Sequence, residues 1–205
     1  FFHEEEIVKQ HSLDPNKKTI LILSAWGFID VAPDLYVNEN TTCSRDLEGR
    51  TIWLKMITDL KLVLGDTYNI LVTLHPNIDP IPYEKELTPL GIPIDKTNRA
   101  FELVKFSDVV IHAGSTVSIG SHFLNTPCFQ YGDQNQTKGG WWNMSEAVIS
   151  KVSPFAKSTY ELINMIKSVE LDKSNASPEA LKSLELGRYG LLDGHATDRA
   201  AMMIG

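Results

Sequence analysis

Hydroxyl-bearing residues follow a glycine directly after a short apolar run, in the stretch DVVIHAGSTVSIG from Asp108 to Gly120. Val109–Ile111 is too short for a helix and is rich in β-branched residues, so it predicts a buried strand that stops at Gly114. Ser115 or Thr116 then caps a predicted helix. A helix start offers free backbone N–H groups and a partial positive charge, which together favour a phosphate. A capped helix that binds nothing is the alternative, and these residues alone do not separate the two.

Two other apolar runs end in residues suited to the same kind of ligand. Thr19–Leu23 (TILIL) has the pattern of a parallel strand covered on both faces, and it runs into Ser24–Gly27. Ile70–Leu74 predicts a second strand, which runs into His75–Asn77. A histidine ring nitrogen can donate a hydrogen bond to a phosphate oxygen, and a histidine with a purely structural place in the turn is the alternative.

The remaining segments alternate between predicted helices and strands. Ile52–Leu64 carry an apolar stripe at helical spacing that includes Val63, and Gly65 ends it. Ser158–Glu161 form a capping box before a later helix. Phe28–Asp46 show no periodicity and predict a long flap over the strand ends. The other predicted elements are helices at 3–11, 83–90, 99–106 (capped by Thr97), 115–124, from 177 onward and 193–204, and strands at 91–94, 128–131 and 147–152.

This alternation predicts a Rossmann-like, doubly wound parallel α/β sheet with helices at its C-terminal end. In a doubly wound order the first and fourth strands are neighbours, and the second lies beside the first. Ser24–Gly27, His75 and Gly114–Thr116 are then expected to face one crevice, where such folds bind ligands. The sequence therefore predicts one anion site that is built from three loops.

Composition narrows the ligand and partner classes. The 205 residues carry a formal net charge of −7, which argues against broad binding of nucleic acid or of anionic membranes. Cys43 and Cys128 form no metal-binding pattern, and no Asp-x-Asp pair occurs in the sequence. We therefore expect neither a metal ion nor a cofactor. No apolar run approaches the length of a transmembrane helix.

The strand end TILILSAWG, the LHPN that follows the second strand, and SDVVIHAGSTVSI resemble the C-terminal half of GT-B glycosyltransferases. The resemblance is strongest to enzymes that assemble bacterial surface polysaccharides, of the polysialyl-, Kdo- and CDP-glycerol-transferase kind. It extends to the closing DGHATDRAAMMI, so it covers nearly the whole chain. The His-Pro and Gly-Ser-Thr elements also recur in UDP-N-acetylglucosamine 2-epimerases.

This resemblance implies a donor site for a CMP-, CDP- or UDP-linked sugar. His75 is implied as the catalytic residue, and Gly27, Gly114, Ser115 and Thr116 are implied around the donor phosphate. The chain 1–205 is implied to be one Rossmann-like half of a longer cytoplasmic enzyme, with 1–18 as a lead-in and 158–205 as C-terminal helices. The acceptor and its catalytic base would belong to a preceding half, so we expect this chain alone to be inactive. Such an enzyme would work in the cytoplasm or at the inner face of the membrane.

One departure from the family pattern leaves alternatives open. Many GT-B enzymes place a glutamate for the donor ribose on this helix, about where Gly120 stands here. An epimerase-like isomerase half is one alternative reading of the sequence, but such enzymes usually keep this carboxylate, so Gly120 counts against it. A non-catalytic binding or assembly module, in which the nucleotide site has been lost, is the other.

Further residues near the strand ends are secondary candidates. Contacts to the donor base or sugar are expected from Ser24, Trp26, Asn77, Asp95 and Asp133. A solvated turn is the alternative for Asp133, and Trp141-Trp142 predict either the rim of a sugar site or an apolar plug. His112 is predicted to be a packed residue within its strand or a partner of a site residue, and His122 to be a surface residue.

Overall fold

A parallel sheet is the framework of the computed structural model, which describes residues 4–24, 44–75, 78–97, 99–113, 115, 117–131 and 153–169. Its strands are β1 Lys18–Leu23, β2 Tyr68–Thr73, β3 Ile94–Asp95, β4 Val109–His112, β5 Cys128–Tyr131 and β6 Phe155–Ala156. Their order is β3-β2-β1-β4-β5-β6, and every neighbouring pair is parallel. This is the doubly wound order that the sequence predicts, with β1 and β4 side by side.

Helices cover both faces of this sheet. They are α1 Glu4–Gln10, α2 Ser44–Leu64, α3 Ile81–Leu87, α4 Ala100–Phe106, α5 Ser118–Phe123 and α6 Thr159–Val169, with a 3-10 turn at Thr88–Leu90. On one face Ile20 and Ile22 of β1 share a core with α2 and α6. On the other face Leu21 and Leu23 pack in a second core with α1 and α4. Because both faces are buried, β1 is the continuous apolar run that the sequence shows.

The apolar stripe of α2 packs on the sheet as predicted, apart from its last turn. Trp53, Met56 and Leu60 are fully or almost fully buried. Val63, which the stripe predicted as buried, is 53% exposed, because the last turn presents Leu60 and Leu64 to the sheet instead. Fully burying one such side chain contributes roughly 1.5–3 kcal/mol, so this face supplies much of what holds α2 in place.

Three predicted boundaries differ from the structure, each for a local reason. Gly91 takes a left-handed conformation (φ +65) after the 3-10 turn, so β3 begins only at Ile94 and not at Gly91. Arg99 is the N-cap of α4, because the Thr97 hydroxyl that was predicted to cap it donates to Asp95 instead. Ser44 already begins α2, so the end of the predicted flap is helical.

The predicted capping box before α6 forms with one change. The Ser158 hydroxyl accepts a hydrogen bond from the Glu161 N–H at 3.2 Å, as such a box requires. The Glu161 carboxylate accepts the N–H of Lys157 at 2.8 Å, one residue before the usual partner. The strand predicted at 147–152 and the helices predicted beyond 169 lie outside the described residues, and β6 lies at Phe155–Ala156. Of the described helices, none is long and apolar enough to cross a membrane.

Replacing Gly65 with alanine tests the end of α2. The Gly65 N–H donates to the Lys61 carbonyl at 3.0 Å, and an added Cβ would lie 2.4 Å from that same oxygen. Because the obstacle is backbone, we expect Gly65→Ala to lower the free energy of unfolding by about 1–3 kcal/mol in urea denaturation. Gly91→Ala is the control, since it meets only conformational strain at φ +65 and no neighbouring atom. A Gly65→Ala protein as stable as the parent would contradict this account.

Candidate functional site

The carboxyl ends of β1, β2 and β4 meet at one edge of the sheet, as predicted. Leu23 at the end of β1 lies opposite Thr73 of β2 on one side and His112 of β4 on the other. Ser24 follows the first of these strands and His75 follows the second, so both lie at the point where the strand order reverses. In doubly wound folds this point opens into the ligand crevice.

Ser24 binds the backbone of His75 directly. The Ser24 N–H donates to the Thr73 carbonyl at 3.0 Å, which continues the pairing of β1 with β2. The Ser24 hydroxyl then accepts the His75 N–H at 2.8 Å. Ser24 itself is buried, with 7% of its surface exposed. Sequence reasoning placed both residues at this edge but did not foresee that one holds the other.

The backbone of His75 is fixed on its second side as well. Its carbonyl accepts the N–H of Ile78 at 2.9 Å, and Ile78 is buried. The ring is half-buried, and this burial lowers the pKa of His75 below its usual value of 6.5. The imidazole is therefore neutral near neutral pH and can donate one hydrogen bond without carrying a charge.

The turn after β4 differs from the predicted helix start. The first residue of α5 is Ser118, and its N-cap, Val117, makes no side-chain capping bond. The Ser115 hydroxyl accepts the Val117 N–H at 3.3 Å, and the Ser115 carbonyl accepts the Ser118 N–H at 3.2 Å. Ser115 therefore organises a turn before the helix rather than capping the helix itself. The prediction of Ser115 or Thr116 as the cap residue was wrong, because the turn takes up the residues that were assigned to the first helical turn.

The position of Gly120 has a packing explanation. A Cβ at Gly120 would lie 2.8 and 2.9 Å from two ring carbons of Phe101 on α4. The glycine thus allows α4 and α5 to approach closely. A side chain at this position would project toward α4, and it would have to displace the Phe101 ring, which is 61% exposed.

A buried polar layer lies between α5 and the sheet. Ser118, Ser121 and His122 of α5 are all buried, and His112 at the end of β4 is fully buried. Burial, together with the nearby His122, lowers the pKa of His112 to about 3, and burial lowers the pKa of His122 to about 4. His112 is packed within its strand as predicted. The prediction of a surface position for His122 was wrong, because α5 buries its polar side and exposes Phe123.

The same layer contains the described cysteine. Burial raises the pKa of the Cys128 thiol to about 11, against smaller effects of hydrogen bonds from Ser153 and Ser121. A thiol with such a pKa stays protonated near neutral pH and is unreactive. Cys128 is therefore a packed residue at the base of this layer.

Asp95 is engaged within the protein. Its carboxylate accepts the hydroxyl of Thr97 at 2.8 Å and the Thr97 N–H at 3.1 Å, and it lies 3.1 Å from Nε2 of His11. Burial by itself raises the pKa of Asp95, but the hydrogen bonds from His11 and Thr97 outweigh it, so the pKa lies below its usual value. Asp95 is fully buried, so a ligand could reach its carboxylate only if the surrounding residues moved. This pairing with His11 carries no signal in the sequence, because the two residues are far apart along the chain.

The other predicted site residues lie outside the described part of the chain: Trp26, Gly27, Asn77, Gly114, Thr116 and Asp133, together with Trp141-Trp142. Of the predicted set, the structure brings Ser24 and His75 into contact. It places Ser115 after the neighbouring strand β4 and Asp95 at the end of the edge strand β3. In the described ranges, no group of three or more histidine, cysteine or acidic residues is arranged to hold a metal ion.

The fold is that of a Rossmann-like α/β domain, as in one half of the GT-B fold. The chain is similar to solved structures of the wall teichoic acid polymerase TagF. A histidine variant soaked with CDPG is 20% identical over 98% of this chain and 44% of that one, with a TM-score of 0.63. A second structure of the same variant is 22% identical over 98% of this chain and 46% of that one, with a TM-score of 0.60.

An epimerase shares the fold at a lower score. UDP-GlcNAc 2-epimerase from Neisseria meningitidis, bound to UDP-GlcNAc, is 16% identical over 97% of this chain and 48% of that one, with a TM-score of 0.57. The chain spans less than half the length of each of these solved structures. Neither a protein-family model nor a curated protein sequence matches it.

The buried histidines predict a loss of stability in acid. His112 and His122 are neutral in the folded chain, whereas in the unfolded chain they bind protons below about pH 6.5. Their contribution is therefore complete above that pH and is lost as the pH falls toward their folded values of about 3 and about 4. We expect urea denaturation to show a loss on the order of a few kcal/mol between about pH 7 and about pH 4.

The variant His122→Gln separates the contribution of His122 to acid instability from the contributions of the other titrating groups. It should flatten the stability profile between about pH 6.5 and about pH 4. His75→Gln is the matched control, since it removes a histidine whose pKa is also lowered by burial but which is only half-buried. A His122→Gln profile as steep as that of the parent would contradict the assignment.

Proposed function

We propose that this chain is the nucleotide-sugar-binding half of a metal-independent GT-B glycosyltransferase that builds a bacterial surface polysaccharide, such as a capsule or wall polymer. The observation that carries the proposal is the meeting of Ser24 and His75 beside the end of β4, in a fold shared with a wall teichoic acid polymerase over 98% of the chain. The acceptor and its catalytic base belong in this proposal to a second half. The enzyme then works in the cytoplasm, at the inner face of the membrane.

The chemistry proposed for this edge is stabilisation of the departing phosphate. As the bond between sugar and phosphate breaks, negative charge develops on the phosphate oxygens. Hydrogen-bond donors already aimed at those oxygens stabilise the transition state more than the ground state. His75 supplies a ring N–H, and Ser115 and Thr116 supply hydroxyl protons. No covalent intermediate and no metal ion are needed for this step.

The backbone around this edge supports the same assignment. Gly27 and Gly114 follow β1 and β4 in the sequence, where a phosphate would approach the chain closely. The turn organised by Ser115 uses the N–H groups of Val117 and Ser118 internally. The proposal therefore assigns the principal phosphate contacts to side chains, and not to the first N–H groups of α5.

The close packing of Gly120 on Phe101 favours a second candidate function, a binding or assembly module without catalysis. With Gly120 at this position, α5 has no carboxylate that could bind the ribose of a nucleotide-sugar donor. Calorimetric titration of the chain with CMP, CDP and UDP distinguishes the two functions. Saturable binding of any of the three supports the transferase half, and no binding of all three supports the assembly module.

Three alanine variants test the phosphate contacts. Charge-assisted hydrogen bonds contribute about 1.5–3 kcal/mol each, so the loss of one weakens binding by roughly one to two orders of magnitude. We expect His75→Ala, Ser115→Ala and Thr116→Ala each to reduce the affinity for whichever nucleotide binds the parent, as measured by calorimetry. The affinity for the corresponding nucleoside, which lacks the phosphate, should hardly change. If all three fold and bind the nucleotide like the parent, the site is elsewhere.

The pH dependence of binding tests the role of His75 separately. Burial lowers the pKa of His75 in the free chain, and a bound phosphate would raise it again. Binding should therefore take up protons, and the affinity for CDP should rise as the pH falls from about 8 to about 6. Calorimetry in two buffers of different ionisation enthalpy measures this uptake. CDP has its own titrating phosphate, so His75→Gln is the control: a proton uptake equal in parent and variant would exclude His75.

A further inference from the structure

We infer that Ser24 is a positioning residue for His75 rather than a contact for the donor. This inference rests on the proposed function, since it assigns how one residue of that site is held. The basis is geometric. The Ser24 hydroxyl accepts the backbone N–H of His75 at 2.8 Å, and the residue is buried, whereas the His75 ring is only half-buried.

The Ser24 side chain adds one hydrogen bond beyond the last backbone hydrogen bond between β1 and β2. Up to Leu23 and Thr73, β1 and β2 pair through backbone groups. The Ser24 N–H adds one more backbone bond, to the Thr73 carbonyl at 3.0 Å. At His75 the acceptor is the Ser24 hydroxyl, which takes the place that a main-chain carbonyl has within a ladder. The two strands can therefore separate at the crevice without leaving the His75 N–H unpaired.

Two hydrogen bonds hold the backbone of His75, one at its N–H and one at its carbonyl. Its N–H is bound to Ser24, and its carbonyl accepts the Ile78 N–H at 2.9 Å. Ile78 is anchored by burial in the core. Removing the Ser24 hydroxyl breaks one of these two hydrogen bonds, so the His75 ring loses part of its fixed orientation. Small displacements of a catalytic group have large effects on binding and rate.

A serine elsewhere in the chain provides a matched control. Ser107 is also 7% exposed, and its hydroxyl also makes a hydrogen bond to backbone, to the Leu103 carbonyl at 2.7 Å. It lies just before the N-terminal end of β4, whereas His75 follows the C-terminal end of β2. The two residues therefore lie at opposite ends of the strands. Ser107→Ala therefore removes a comparable buried hydroxyl without touching the proposed site.

A double-mutant cycle with CDP as the probe distinguishes positioning from direct contact. Ser24→Ala should weaken binding of CDP by roughly 5–20-fold, because a less well oriented His75 ring loses part of its hydrogen bond to the phosphate. In the His75→Ala background the same change should have less than about a twofold effect, because Ser24 acts through His75. An equal loss in both backgrounds would overturn the inference, and so would parent-like affinity in a folded Ser24→Ala protein.

A measurement without ligand makes the inference independent of the proposed function. Hydrogen exchange at the His75 amide should be faster in Ser24→Ala than in the parent, and unchanged in Ser107→Ala. The His75 imidazole should also titrate closer to its ordinary pKa in Ser24→Ala, because the ring is less restrained. If the parent binds neither CMP, CDP nor UDP, the proposed function falls, while faster exchange still supports the link between Ser24 and His75. Unchanged exchange at His75 overturns that link.

If Ser24→Ala does not fold, Ser24→Cys takes its place. A thiol has a similar shape but is a weaker hydrogen-bond acceptor, so the His75 amide should exchange faster than in the parent. The affinity for CDP should lie between those of the parent and His75→Ala. Parent-like values for both in Ser24→Cys would overturn the inference.

Discussion

The pairing of β1 with strands on both sides is the constraint on which the rest of the structure depends. Helices bury both faces of β1, so its N–H and C=O groups have no water to bind and must pair within the sheet. The pairs Leu23–Thr73 and Leu23–His112 bring three strand ends together. The strand order reverses between β1 and β4, and in doubly wound folds this reversal is the place where a ligand crevice opens. The location of the candidate site thus follows from hydrogen bonding in the core.

The sequence predicted those parts of the fold in which burial leaves a clear pattern. TILIL and VVI are apolar runs because each strand is covered on both faces, and both are strands of the sheet. The stripe of α2 and the capping residues of α6 are equally local signals. β3 has two residues, too few for any periodicity, so its boundary was misplaced. The cap of α4 was misassigned because Thr97 had a competing partner in Asp95.

The sequence predicted which strand ends form the candidate site, but not the contacts between the residues there. Topology alone places Ser24, His75 and Ser115 at one edge, but it cannot say that the Ser24 hydroxyl binds the His75 backbone. The sequence also did not show which side of α5 is buried. Pattern reasoning assumes that the buried side of a helix is apolar, whereas α5 buries Ser118, Ser121 and His122. His122 can be buried because histidine sheds its charge when it is desolvated, and the Ser118 hydroxyl donates to the nearby Ser115 carbonyl.

The two strands at the margins of the sheet, β3 and β6, have two residues each. A margin strand presents unpaired N–H and C=O groups to which another extended chain can add, and a long one is a template for aggregation. β3 is also held from the side, because the carboxylate of Asp95 binds Thr97 and lies against His11. Apolar strands as continuous as β1 and β4 are therefore kept in the interior of the sheet. At its described margins the fold offers little to a stray peptide or a second copy of itself, which favours dispersal over fibre growth at high concentration.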